Sequence, residues 1–134
     1  MNDRSWRNAI FLLFIWALPC ASMGHHSFSA QYDANQPITL TGYLIKMDWR
    51  NPHVYFFLEV ENGDDVEEWA FEMGSPIAME RNGWNRNSVK VGDILEVEGN
   101  LARDGSHLVN ANSVTLFDSG RRLFAGSSRD EEKP

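Results

Sequence analysis

The sequence lacks the motifs by which most enzymes are recognised. Its 134 residues contain no Walker loop, nucleophile elbow, dinucleotide fingerprint or zinc-protease helix. The paired carboxylates, such as Glu67–Glu68 and Glu96 with Glu98, lie in segments of alternating polarity, which is typical of the solvated face of a sheet. We therefore predict a binding protein rather than an enzyme, with no catalytic residues.

Positive charge is scarce in this chain. It has 12 lysines and arginines against 19 aspartates and glutamates, and its formal net charge is −7. An acidic domain repels the phosphate backbone of nucleic acids, which are bound mainly through lysine and arginine. We therefore expect no nucleic-acid partner.

Long hydrophobic runs are also missing. The run Ala9–Leu18 holds ten apolar residues, whereas a membrane-spanning helix needs about 20. Two arginines precede this run, and a proline and several small residues follow it, which is the pattern of a cleavable signal peptide. We assign residues 1–24 to the signal peptide, so that the mature chain begins at His25. A cut after Ser22 is the alternative.

Cysteine is almost absent, and the only one, Cys20, lies inside the predicted signal peptide. The exported chain would therefore have no disulfide bond and no thiolate ligand. Lipid attachment at Cys20 is disfavoured because Pro19 stands where a lipobox requires a small residue. We expect a periplasmic protein with no stable membrane anchor after signal removal. A periplasmic protein partner and the oligomeric state are left open.

What the chain does have is alternation of apolar and polar residues. It predicts five strands, at residues 37–49, 53–61, 66–73, 91–101 and 108–116. Between the third and fourth strands, Ser75 and Pro76 predict the start of one short helix. The alternation changes phase at Gly42, which predicts a β-bulge there.

This order of elements predicts an all-β fold with one short helix, a small five-stranded OB-like barrel. A generic β-sandwich is the alternative. The barrel domain is assigned to residues 25–126. The polar and charged segment that follows, residues 127–134, is predicted to be a disordered tail.

The histidines are the candidate metal ligands. If cleavage leaves His25 first, its α-amine and imidazole can chelate one metal ion, and His26 adds a second imidazole. His53, at the start of the second strand, is the possible third ligand. Nitrogen ligands suit copper, nickel and zinc, and copper leads on the Irving–Williams order. We therefore predict a transition-metal site, with copper favoured and zinc second.

Simpler interpretations of the same histidines remain open. His25 and His26 are equally compatible with a solvated chain end. His53 is compatible with a structural role, in which it forms a hydrogen bond that fixes the entrance of the strand. His107 lies at a predicted turn and is expected to be solvated.

A second binding hypothesis depends on aromatic residues. The side chains of Trp49, Tyr55, Phe57 and Trp84 are candidates to line a groove for a small apolar or aromatic ligand at the barrel mouth. In this hypothesis the protein is a periplasmic interaction or small-ligand module and the histidines are structural. The alternative is that the tryptophans close the ends of the barrel.

Several segments together resemble a known group of sequences. They include HHSFSAQYD (residues 25–33), ITLTGYLIKMDWRNPHVYFFLEV (residues 38–60), EWAFEMGSP (residues 68–76) and RDGSHLVNANSVTL (residues 103–116). The chain resembles a family of small exported bacterial proteins of unknown function, marked by an HHSF start and an NPH motif. The resemblance implies a periplasmic, single-domain β protein with HHSF at its N-terminus, and it implies no activity.

Overall fold

The computed structural model describes residues 28–126. The predicted signal peptide, residues 1–24, and the predicted tail, residues 127–134, lie outside the described residues. The same holds for His25 and His26. No helix in the described range is long and apolar enough to cross a membrane.

Residues 28–126 contain six strands and two short helices. In chain order they are α1 (Phe28–Gln31), β1 (Tyr32–Asp48), β2 (Tyr55–Asn62), β3 (Asp65–Glu72), α2 (Pro76–Arg81), β4 (Ile94–Ala102), β5 (Leu108–Leu116) and β6 (Arg122–Phe124). The five predicted strands and the helix α2 are confirmed. The helix α1 and the short strand β6 were not predicted.

Five of the strands close into a barrel-like ring. Their order is β3-β2-β1-β4-β5, and a parallel pairing between β3 and β5 closes the ring. All other pairings are antiparallel, and β6 adds to the free side of β5. The prediction of a small five-stranded OB-like barrel with a helix between the third and fourth strands is therefore confirmed.

Strand β1 serves both halves of the barrel, because one part of it pairs with β4 and a later part with β2. A Cβ atom at Gly42 would overlap the carbonyl oxygen of Glu59 on β2. A glycine is therefore needed where β2 approaches β1 most closely.

The predicted position of the bulge was wrong by a few residues. The register of β1 against β2 shifts between Leu44 and Lys46, so the extra residue is Ile45 and not Gly42. Leu44 is fully buried whereas Tyr43 is half-exposed, because the even-numbered residues keep facing inward past the glycine. The phase changes only at the bulge.

The barrel interior is filled by the inward faces of the strands. On the second strand and its entrance, the residues that alternation places inward are all buried: Val54, Phe56, Leu58 and Val60. Other fully buried core residues include Phe71, Met73, Met79 and Leu95. The helix α2 begins as predicted, with the Ser75 hydroxyl accepting a hydrogen bond from the Ala78 amide at 3.3 Å, and it buries Met79.

Candidate functional site

A buried carboxylate lies on the outer face of β3. By the alternation of apolar and polar residues along this strand, Glu72 is expected to point to solvent, as Glu68 does, but it is only 4% exposed. The expectation is wrong because this face is covered. Tyr32, at the start of β1, lies over the end of β3 and is itself fully buried.

Three side chains donate hydrogen bonds to Glu72. The Tyr32 and Tyr55 hydroxyls both donate to Oε2, at 2.6 and 2.8 Å. The Nδ1 atom of His53 lies 2.7 Å from Oε1. The carboxylate therefore has a donor on each oxygen, which is how proteins accommodate a buried acidic group. We call these four residues the Glu72 cluster.

The electrostatics of the cluster favour a charged carboxylate between neutral phenols. Burial by itself raises the pKa of Glu72, but the hydrogen bonds from His53, Tyr32 and Tyr55 outweigh it, and the net pKa lies below its usual range. Burial, followed by the bond to Glu72, raises the pKa values of Tyr32 and Tyr55 above that of free tyrosine.

The pairing of β2 with β3 brings His53 to Glu72. Tyr55 is the register partner of Glu72, so the residues before β2 run alongside those after β3. The Met73 amide donates to the Val54 carbonyl at 2.8 Å, and the Val54 amide donates to the Gly74 carbonyl at 3.0 Å. His53 therefore sits beside the last residue of β3.

The start of the described chain is packed against the same region. The rings of Phe28 and Tyr32 stack with centroids 5.6 Å apart, and together with Ala102 and Leu108 they form a small apolar cluster outside the barrel core. We call residues 28–33 the N-terminal segment. Their packing joins this segment to β4 and β5.

Arg103 holds the N-terminal segment by polar contacts as well. Its backbone amide donates to the Gln31 carbonyl at 2.9 Å, and its Nε donates to the Ser29 carbonyl at 3.0 Å. Its guanidinium also lies 3.4 Å from Asp33. The segment is therefore fixed in place from both ends.

Of the three predicted metal ligands, the structure describes only His53. Its side chain is 19% exposed and belongs to the Glu72 cluster. His107 lies elsewhere, against Trp69 and near Glu67. Within residues 28–126 no group of three or more His, Cys, Asp or Glu side chains is placed to hold a metal ion. A site of three such ligands that includes His53 would therefore need ligands from outside residues 28–126.

The four predicted aromatic ligand-binding residues lie on two faces of the barrel wall. Trp49 and Trp84 are 8% and 2% exposed and belong to the core. Tyr55 and Phe57 lie on the outer face of β2, stacked at 6.4 Å, and the Lys46 ammonium lies 4.7 Å from the centre of the Phe57 ring. The structure therefore brings Tyr55 and Phe57 together on the outer face and buries the two tryptophans in the core.

Sequence reasoning missed Tyr32 and Glu72. In the pattern of β3, Glu72 has the same phase as Glu68, and only the packing of a distant segment distinguishes them. Tyr32 precedes the predicted first strand, and the resemblance that includes the HHSFSAQYD segment implies no role for it. No local signal in the sequence identifies either residue.

Comparison with known proteins gives a family but no activity. No curated protein and no solved structure matches the chain at a significant level. A family profile, described as a family of unknown function (DUF6152), matches residues 14–110. The chain is therefore a member of this family of unknown function.

Proposed function

We propose that this protein is an exported, non-enzymatic binding module that holds a transition-metal ion, with copper favoured and zinc second. His53 would be one ligand, and His25 and His26 would supply the others. The observation that carries the proposal is the 2.7 Å contact between Nδ1 of His53 and Oε1 of Glu72.

That contact is the arrangement by which proteins prepare a histidine for a metal. Metal-ligating histidines usually donate their other ring N–H to a carboxylate, which fixes the tautomer and increases the basicity of the ligand. In His53 the proton on Nδ1 puts the lone pair of the neutral ring on Nε2. Nε2 is therefore the expected ligand atom.

The proposal requires the N-terminal histidines to reach His53. Phe28 packs on Tyr32, whose hydroxyl is 2.6 Å from Glu72. His26 precedes Phe28 by two residues and His25 by three, and an extended chain spans at most about 3.6 Å per residue. At most about 7 and 11 Å of chain therefore separate His26 and His25 from Phe28, which supports the proposal that they join His53.

The donor set determines the class of metal. Two or three imidazoles, joined by a free α-amine if the mature chain begins at His25, are nitrogen ligands that suit Cu(II) above Zn(II). The HHSF and NPH segments then have one shared purpose, because the first supplies the chelating end and the second supplies His53.

The proposal is tested by copper titration of the exported protein, with native mass spectrometry to establish its first residue. We expect one copper ion per chain, bound to a protein that begins at His25. Adding one glycine before His25, or changing His53→Ala, is expected to weaken binding at least tenfold. His107→Ala is the matched control, because this histidine lies outside the Glu72 cluster.

Two results would contradict the metal proposal. One is a tagless, chelator-free protein that binds neither copper nor zinc. The other is an affinity that does not change in the glycine-extended and His53→Ala variants. The first result would favour the second candidate, an interaction surface on the outer face of β1 and β2, where Lys46, Phe57 and Tyr55 lie side by side.

A further inference from the structure

Glu72 carries a charge that the barrel does not need for packing. Its side chain is 5% exposed, and within residues 28–126 it forms no ion pair with a lysine or arginine. Burying a carboxylate is unfavourable unless each oxygen finds a donor. A neutral side chain of similar size would fill the same space without that cost. The carboxylate therefore has a purpose beyond filling space.

The donors are divided unequally between the two carboxylate oxygens. Both phenols donate to Oε2, at 2.6 Å from Tyr32 and 2.8 Å from Tyr55. The other oxygen, Oε1, faces Nδ1 of His53. The two hydroxyl donors hold the Glu72 carboxylate in one orientation, because rotating the carboxylate would break both short hydrogen bonds to Oε2.

The two phenols come from different parts of the chain. Tyr55 is the first residue of β2 and follows His53 by two positions in the chain. Tyr32 belongs to the N-terminal segment, which is held by Phe28 and by Arg103. One of the two bonds that orient Glu72 therefore depends on the docking of the segment that leads to His26 and His25.

We infer that Tyr32 and Tyr55 are positioning residues for His53. By donating to Oε2 they direct Oε1 at the histidine and hold its neutral ring as the tautomer with the proton on Nδ1 and the lone pair on Nε2. Through Tyr32, docking of the N-terminal segment and organisation of His53 are coupled. The purpose of this device rests on the proposed metal site, but the tautomer is a property of the metal-free protein.

The tautomer can be measured directly. In ¹⁵N-labelled, metal-free, full-length protein, long-range ¹H–¹⁵N spectra recorded where His53 is neutral distinguish a proton on Nδ1 from one on Nε2. We expect the Nδ1–H form in the wild type. We expect the Nε2–H form to increase in Tyr32→Phe and in Tyr55→Phe, with copper affinity reduced about 10- to 100-fold, as for other outer residues of metal sites.

Tyr43→Phe is the matched control, because Tyr43 is half-exposed on β1 and has no part in the Glu72 cluster. It is expected to change neither the tautomer nor the affinity. Backbone amide spectra establish that each variant is folded. If Tyr32→Phe does not fold, the inference is tested by the His53 tautomer in Tyr55→Phe and in the wild type.

The outcomes separate this inference from the metal proposal. A wild-type His53 with its proton on Nε2 overturns the inference, as does an unchanged tautomer in the folded phenylalanine variants. A tautomer that responds to both variants supports it, even in a protein that binds no copper. If the tautomer responds but the protein binds no copper, the metal proposal is wrong and the positioning role of the tyrosines is still supported.

Discussion

Trp69 and His107 stack face to face, with ring centroids 4.3 Å apart and planes 9° from parallel. Trp69 belongs to β3, and His107 immediately precedes β5. The Ala70 amide donates to the His107 carbonyl at 2.9 Å, next to the three residue pairs of the closing parallel pairing. The stack therefore extends the pairing that closes the barrel, and it places this histidine away from Glu72.

Loss of this stack is expected to lower the stability of the barrel without changing the proposed metal site. Stacked aromatic pairs contribute about 0.5–1.5 kcal/mol, and His107 is half-exposed, so His107→Ala should lower the free energy of unfolding by about 0.5–1 kcal/mol. Urea denaturation measures the change. His107→Phe, which keeps a ring over Trp69, should retain most of the stability. Equal losses in both variants would contradict the explanation.

Phe28 is expected to anchor the N-terminal segment. It is 6% exposed and packs on Tyr32, and removing a buried phenylalanine ring costs about 3 kcal/mol or more. In Phe28→Ala we expect faster hydrogen exchange across residues 28–33 and weaker copper binding. Phe117→Ala is the matched control, because Phe117 is 65% exposed. Unchanged exchange in Phe28→Ala would show that other contacts hold the segment.

The Glu72 cluster is expected to make stability depend on acidic pH. The pKa of Glu72 lies below its ordinary value of 4.5, because hydrogen bonds from His53, Tyr32 and Tyr55 outweigh the effect of burial. The unfolded chain then binds more protons than the folded one in this range, so this contribution is present above about pH 4.5 and is lost as the pH falls through the folded pKa.

Denaturation curves between neutral pH and pH 3 measure this dependence. We expect the slope to be smaller in Glu72→Gln, which cannot gain the proton. Glu68→Gln is the matched control, because Glu68 is exposed on the same strand and lies outside the Glu72 cluster. A Glu72→Gln variant with the full wild-type slope would contradict the assignment.

The same cluster is expected to limit stability at alkaline pH. Burial and the bond to Glu72 raise the pKa values of Tyr32 and Tyr55 above 10.0. Their contribution to stability is therefore complete below about pH 10 and is lost as the pH rises further. Ultraviolet absorbance should show these phenols ionising only with unfolding, and each phenylalanine variant should reduce the alkaline loss. Reversible ionisation in the folded protein would contradict this.

Gly42 is expected to tolerate no side chain. A Cβ at this position would overlap the Glu59 carbonyl, which is backbone and cannot rotate away. We expect Gly42→Ala to cost about 1–3 kcal/mol of unfolding free energy, as for other overpacked sites. Thr41→Ala, at an exposed neighbouring position, should cost less. Equal stability of Gly42→Ala and the wild type would mean that β1 and β2 can separate there.

Much of the barrel was predictable from local patterns, because each strand of a small barrel has one face in the core. Alternation placed Val54, Phe56 and Leu58 inward, and the helix signals at Ser75 and Pro76 were correct. The bulge was misplaced because a glycine and a bulge both interrupt alternation. Only the pairing partners show that the register shifts at Ile45.

The candidate site was predictable only in part. His53 stands out in sequence because histidines are few and it follows a strand-breaking proline. The other members of the site, Glu72 and Tyr32, do not stand out in the sequence. Glu72 has the same phase in the alternation as Glu68, and Tyr32 precedes the first predicted strand. The burial of Glu72 depends on a contact between residues 40 positions apart, which no local pattern encodes.

The sequence by itself determined the acidic charge, the β architecture with its single helix between strands, and the small set of histidines, because composition and alternation are local properties. The tertiary structure alone decided that Trp49 and Trp84 belong to the core, which carboxylate is buried, and which histidine contacts it. The last two outcomes depend on how the β2–β3 pairing and the docked N-terminal segment exclude water from Glu72.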